Sequence, residues 1–338
     1  MKKQLIFLFL LIIYSSALFS QVESSSSYLG QKPPGAIPEL FAPGIICTGF
    51  NERDITISPD GKEIYYGLLT GKHITIMLTK LVNGKWTEPE IAPFASDENY
   101  FHLEPCISSD GNHIYFLSTR PPKDKEPKPR WTYQNIWSSN RNSDGTWSEP
   151  NLDTLLNKSN TQFYPSVTKD GTMYFTGNDP QTKKPIILKA RLKNGQYQPA
   201  EKLPEIINQE GTSPYNAFIS PDESFLLACI DGRNNEINPG FANYYVFFRD
   251  NEDNWSEGIS FGAEINMKGS TAMSASVSPD GKYLFFAAQK ISKQNEELSK
   301  QKTLGKMMEL INSPQNGNYD IYWVDAKIID ELKPTKNK

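Results

Sequence analysis

Two carboxylates, two arginines and two histidines near the start of this 338-residue chain could support acid–base chemistry. Asp54 and Glu104 occupy the same place in two similar lines, DITISPDG and EPCISSDG. Arg53 and His102 stand just before them, and His73 and Arg120 a little downstream. A carboxylate pair can act as general acid and general base on a glycosidic bond. Arg53 and Arg120 would then steady anionic groups, while His102 would move protons or hold a metal. The corresponding positions of three later lines are also polar: Tyr164, Asn216 and Ser274. With Arg53, His73, Arg120, Trp131 and Arg233 they form the candidate ligand-binding set; Asp54, Glu104 and His102 are the catalytic candidates. The plainer reading stands beside this one. Polar residues line any wet channel, and aspartates near strand starts cap backbone amides. No G-x-S-x-G elbow, phosphate cradle or CxxC spacing occurs, so neither cofactor nor metal is expected. His113 reads as an ordinary strand residue.

A repeat fixes this register. DITISPDGKEIYYG, EPCISSDGNHIYFLS, YPSVTKDGTMYFTG, NAFISPDESFLLAC and SASVSPDGKYLFFAA align on Asp60, Asp110, Asp170, Asp222 and Asp280, at intervals of 50, 60, 52 and 58 residues. Each is strand, tight turn, strand, with turn formers between β-branched and aromatic runs. A third strand follows (HITIML, QNIWSS, KPIILKA, NYYVFF, YDIYWV). Then come a polar turn and an aromatic, Trp86, Trp147, Tyr197 or Trp255, which is expected to open a fourth strand and pack between blades. Four antiparallel strands repeated at this period predict an all-β, five-bladed β-propeller over residues 38–338, six blades being the alternative. The fifth unit lacks its outer strand, and PELFAPG (Pro38 to Gly44) resembles the outer strands elsewhere. The N-terminal segment is therefore expected to close the last blade.

This topology puts the Ser-Pro-Asp-Gly turns on one face. The residues opening each first strand, and the loops joining second to third strands, fall on the other. Three of those loops are long: Thr119 to Gln134, Asp231 to Asn243 and Lys290 to Asn318. In the last, Leu298, Leu304, Met307, Met308 and Ile311 recur at roughly helical spacing, predicting an amphipathic lid over blades five and one. The long-loop face, with Trp131, Tyr133 and Phe241 on it, is the expected recognition surface.

SPDGKEIYYG, SPDGKYLFFAA, DGTWSEPNLD and YDIYWVDAK resemble the WD-like, Pro-Asp-turn repeats of TolB-like periplasmic proteins. The resemblance covers about Pro38 to Pro334 and implies a propeller in the bacterial envelope. Related propellers precede the catalytic domain of prolyl oligopeptidases, whose nucleophile motif is missing here.

Residues 1–20, MKKQLIFLFLLIIYSSALFS, have the basic start, apolar run and small-residue end of a secretory signal peptide. Residues 21–37 read as a flexible Ser/Pro/Gly-rich leader. A net charge of −4 with mixed signs gives no electrostatic case for nucleic acid. Cys47, Cys106 and Cys229 lie far apart and read as buried thiols. An exported monomer is expected, periplasmic or secreted, with no membrane span after cleavage. It would bind an envelope protein, a peptide or a glycan through its long-loop face; the alternative is an oligosaccharide hydrolase or lyase at the channel mouth.

Overall fold

Each repeated line folds around its aspartate. Asp60 accepts hydrogen bonds from Ser58 Oγ at 2.7 Å and the Lys62 amide at 3.1 Å. Asp280 repeats both with Ser278 and Lys282, and Asp110 and Asp170 make the equivalent pairs. The turn glycines that follow, Gly61, Gly111, Gly171 and Gly281, all take positive φ. Blade four has Glu223 there, at φ 58°. That conformation is costly with a Cβ, and Glu223 is held in it by Tyr174 Oη, which donates at 2.6 Å, and by an ion pair with Arg249.

The computed structural model describes residues 28–153, 156–157, 161–233 and 237–334; the expected signal peptide lies outside them. Among these residues five antiparallel sheets of four main strands form a five-bladed β-propeller. Blade one runs Asn51–Ile57, Glu63–Thr70, His73–Val82 and Glu90–Ile91. Blade two runs His102–Ile107, His113–Ser118, Asn135–Asn140 and Asn151–Leu152. Blade three runs Gln162–Val167, Met173–Asn178, Pro185–Ala190 and Glu201–Lys202. Blade four runs Ser213–Ile219, Phe225–Asp231, Asn243–Phe248 and Ile259–Ser260. Blade five runs Ala275–Val277, Tyr283–Ile291 and Asn316–Asp325, completed by Glu39–Leu40.

That last strand is the expected clasp. Glu39 pairs with Trp323 and Leu40 with Tyr322, and the Phe41 amide donates to Ile321 O at 2.9 Å. Phe41 is fully buried, with its ring edge-on to Phe285 and Trp323 at 5.0 and 5.1 Å. Five apolar clusters fill the interfaces between successive blades, the one between blades five and one included. The third-turn aromatics reach the preceding blade: Trp147 Nε1 donates to Tyr65 Oη at 2.9 Å, and Tyr197 Oη to Tyr115 Oη at 3.1 Å. They sit in the turn itself, bridging back to the third strand, and the fourth strand starts a few residues later. The seam also buries two carboxylates. Glu52 is held by Thr48 and Asp320 by the Gln315 amide, but Glu52 Oε2 and Asp320 Oδ1 have no partner. Burial pushes each up to about 7, the Glu52 charge adding to the rise at Asp320.

Two segments behave differently from expectation. Where a flexible leader is expected, Tyr28 packs against Tyr283, and Gln31 bonds the main chain at Leu40 and Ala42. The long insert of blade five forms two helices, α1 (Lys293–Ser299) and α2 (Leu304–Ile311). Leu298 is buried, but Leu304, Met307, Met308 and Ile311 are 75, 52, 51 and 53 % exposed. The apolar stripe therefore faces outward and does not lie on the rim. Backbone contact seats the insert instead: a Cβ on Gly49 would meet Ile311 O at 1.8 Å, and Asn316 and Asn318 both donate to Gly49 O.

Candidate functional site

The strand-opening residues are bulges. Register slips in four first strands, between Arg53 and Thr56, Leu103 and Cys106, Phe163 and Ser166, and Tyr215 and Phe218. In each slip one residue takes positive φ: Asp54, Glu104, Tyr164 and Asn216. A bulge turns its amide out of its own sheet and toward a neighbouring blade. The Asp54 amide donates to Ser274 Oγ at 3.1 Å, the Tyr164 amide to Glu104 Oε2 at 2.7 Å and the Asn216 amide to Thr176 Oγ1 at 2.9 Å. Asn216 Nδ2 donates to Met273 O at 2.5 Å. Tyr164 Oη donates to Ala275 O at 3.1 Å, a bond from blade three to blade five that crosses the axis. The candidate ring is thus a hydrogen-bonded plug, and Asp54 and Glu104 are only 3 and 5 % exposed.

Inside the plug one guanidinium serves two carboxylates. Arg53 Nε lies 2.6 Å from Asp54 Oδ2, and Arg53 Nη2 lies 2.9 Å from Glu104 Oε1. Burial pulls Arg53 down, but Asp54 and Glu104 outweigh it and the net shift is upward. Burial likewise raises both carboxyls despite Arg53, Glu104 to about 8, with the Asp54 charge adding to it. The Ser274 hydroxyl and the Glu104 amide offset part of the rise at Asp54, yet Asp54 Oδ1 makes no hydrogen bond.

The cavity lies on the turn side of this plug. A well of about 550 Å³ has Asp54, Glu104 and Tyr164 at its floor. Thr56, Cys106, Ser166, Phe218 and Ser276 line its walls, and Pro59, Ser109, Pro221 and Pro279 its mouth. The sequence placed the mouth on the long-loop face. The plug closes that side, so the well opens among the Ser-Pro-Asp-Gly turns. The five wall residues each sit two positions after an opening residue, just past the bulge in four of the five strands. That offset was the signal for them. Thr56, Ser166 and Ser276 also bond the next blade's backbone, at Ile107, Ile219 and Ile55.

The remaining candidates are scattered. His73 is exposed at the start of a third strand. His102 is buried, its Nε2 3.1 Å from Asp97 O; burial and the nearby Arg120 charge lower it to about 4, so it stays neutral. Arg120 lies over Trp137 and reaches Phe94 O at 3.4 Å. Arg233 does the same in blade four, over Tyr245 and Phe247, with Ile206 O at 2.6 Å. Both brace the preceding interblade loop. Trp131 is partly exposed, stacked on Phe101 at 5.0 Å. None of these lines the well. Among the described residues no group of three or more His, Cys, Asp or Glu is placed to hold a metal ion.

No protein-family model matches the chain, and no curated protein does. Among solved structures it is similar to TolB from Acinetobacter baumannii, at 16 % identity and TM-score 0.47 over 81 % of this chain and 57 % of that one. It is similar to BT0996 in its RGII complex at 13 % identity and TM-score 0.48, covering 92 and 95 %. It is also similar to Zg3597, a family 117 glycoside hydrolase of the marine bacterium Zobellia galactanivorans, at 13 % identity and TM-score 0.48, covering 86 and 90 %. The chain spans little more than half the length of the first.

Proposed function

We propose that this chain is an exported binding protein that takes its ligand in the axial well, through the Pro-Asp-turn face. The observation that carries this reading is the well itself: about 550 Å³, within the range of small-ligand sites, with a buried polar floor. A hydrolase or lyase is less well supported. Both Glu104 oxygens are engaged, by Arg53 and by the Tyr164 amide, and Asp54 shares the same guanidinium. A glycosidase pair needs both carboxyls free to reach the sugar or its attacking water; of these four oxygens Asp54 Oδ1 alone lacks a partner. The signal-peptide layout of residues 1–20 supports export, and among the described residues no helix is long and apolar enough to cross a membrane.

The test is a thermal-shift comparison of the wild type with Ser109→Trp, which obstructs the mouth from an exposed turn. Tetra-alanine, maltotetraose and chitotetraose serve as probes. Stabilisation of the wild type by one probe, lost in Ser109→Trp, supports the reading. Cleavage of a glycan probe that disappears in Glu104→Gln overturns it in favour of catalysis. A second reading has its own support: the outward apolar stripe of α2, with Trp131 and Phe241 on the same long-loop face, suits a protein partner in the envelope. Met307→Lys is expected to abolish that contact without touching the well.

A further inference from the structure

We infer that the floor of the well is built to receive a primary ammonium group at the end of a slender chain. This rests on the reading of the well as the ligand site. Charge is the first argument. Asp54, Glu104, Asp222, Asp280 and Asp330 line the cavity, and Lys169 is the only basic side chain among the described residues that does. Behind the floor, Arg53 neutralises one of two carboxylates. With both acids ionised the floor is one positive charge short.

Hydrogen bonding sets the polarity of the missing group. Asp54 Oδ1 is buried and unpartnered, and an ionised carboxylate can only accept. Tyr164 Oη already donates to Ala275 O, and Arg53 is taken up by the two acids. With both acids ionised the floor therefore offers acceptance and no spare donor, which suits an ammonium. Shape sets the rest. From Asp54 to the turn at Ser58 is four strand residues, about 13 Å. A well of about 550 Å³ and that depth has room for one extended chain.

The group to be displaced on binding is a proton. Arg53 and Glu104 are the charged groups facing Asp54. Tyr164 from blade three, Tyr215, Cys229 and Tyr244 from blade four, and Tyr319 from blade five are all raised by burial and stay neutral. Burial raises both acids, so near neutral pH the pair holds a proton that an arriving ammonium expels. Affinity must then rise with pH until the pair is ionised.

Calorimetric titration at pH 6.0 and 7.5 tests this, with tetra-alanine amide and spermidine as amine probes and N-acetyl-tetra-alanine amide and 1,8-octanediol as neutral counterparts. The two amines separate a peptide N-terminus from a polyamine as the source of the group. The expected result is binding of one amine at least tenfold tighter than its neutral counterpart, with Kd falling about 10- to 30-fold from pH 6.0 to 7.5. Asp54→Asn, its fold verified by circular dichroism, should lose tenfold or more in affinity together with the pH dependence; Glu104→Gln should flatten the pH dependence as a second variant. A neutral probe that matches its amine, a pH-independent Kd, or no amine binding at millimolar concentration overturns the inference. If a neutral probe binds and Ser109→Trp excludes it, the ammonium assignment falls and the well survives. If Ser109→Trp binds the amine like wild type, the well falls too.

Discussion

Glu52→Gln is expected to stabilise this protein at pH 8 and to do so by less than about 1 kcal/mol at pH 5. Glu52 and Asp320 are buried at the seam where blade five meets blade one, each with one oxygen unsatisfied. Burial raises Glu52 from 4.5 to about 7, and Asp320 from 3.8 to about 7. A carboxyl whose folded pKa exceeds its unfolded one contributes stability that is complete below the unfolded pKa. That stability drains as pH rises through the folded pKa, here between about 5 and 8. Raising Glu52 from 4.5 to about 7 sets a ceiling near 3 kcal/mol at pH 8. Because part of the strain is shared with Asp320, about 2 kcal/mol is expected from the single neutral substitution. Gln keeps the acceptor that holds Thr48 and places an amide where Oε2 now lacks a partner. Urea unfolding followed by tryptophan fluorescence reports on the seam, since Trp323 lies within it. The difference between the two proteins is the quantity to measure. In both, His102, lowered to about 4, withdraws stability as pH falls below its unfolded value near 6.5. The turn aspartates Asp60, Asp110, Asp170 and Asp222 are lowered and lose their contribution only under more acidic conditions. A Glu52→Gln protein less stable than wild type at pH 8, or shifted equally at both pH values, would refute the reasoning.

Other outcomes follow from the same contacts. Phe41→Ala opens the clasp and should cost about 3–5 kcal/mol, read as a lower urea midpoint, because the ring is fully buried against Phe285 and Trp323. Trp147→Phe keeps the ring over Phe94 but removes the donor to Tyr65 Oη, a loss of about 1–2 kcal/mol on thermal unfolding. Met307→Lys on α2 should change stability by no more than about 0.5 kcal/mol, since the side chain is outward and exposed; a larger loss would mean the stripe is covered.

The ring was legible because its determinants are local. Pro, Asp and Gly at one offset set five turns, and alternation of side chains sets the strands on either side. The clasp was legible by subtraction: the last unit lacked an outer strand, and Glu39–Leu40 supplied it. The site was legible only in part. Asp54, Glu104, Tyr164, Asn216 and Ser274 do meet around the axis, but sequence could not tell that they meet as a plug. The positive-φ bulge that turns their amides toward neighbouring blades accommodates Asp, Glu, Tyr and Asn alike, so no residue type announces it. Once those groups satisfy one another, the open side of the channel reverses. Arg120 and Arg233 misled for a related reason. A loop arginine looks free in sequence, whereas here each lies over a third-strand aromatic and binds a preceding-blade carbonyl. The helical character of the blade-five insert was legible from its period, but not its break into two helices, and amphipathicity does not say what, if anything, covers the apolar side.

A crystal structure of the protein grown with tetra-alanine tests the central claim most directly. The peptide is expected inside the well, running from Ser109 at the mouth to a terminal nitrogen within hydrogen-bond distance of Asp54 Oδ1. Peptide bound on the opposite face, against Trp131 or His73, with nothing in the well, would contradict it.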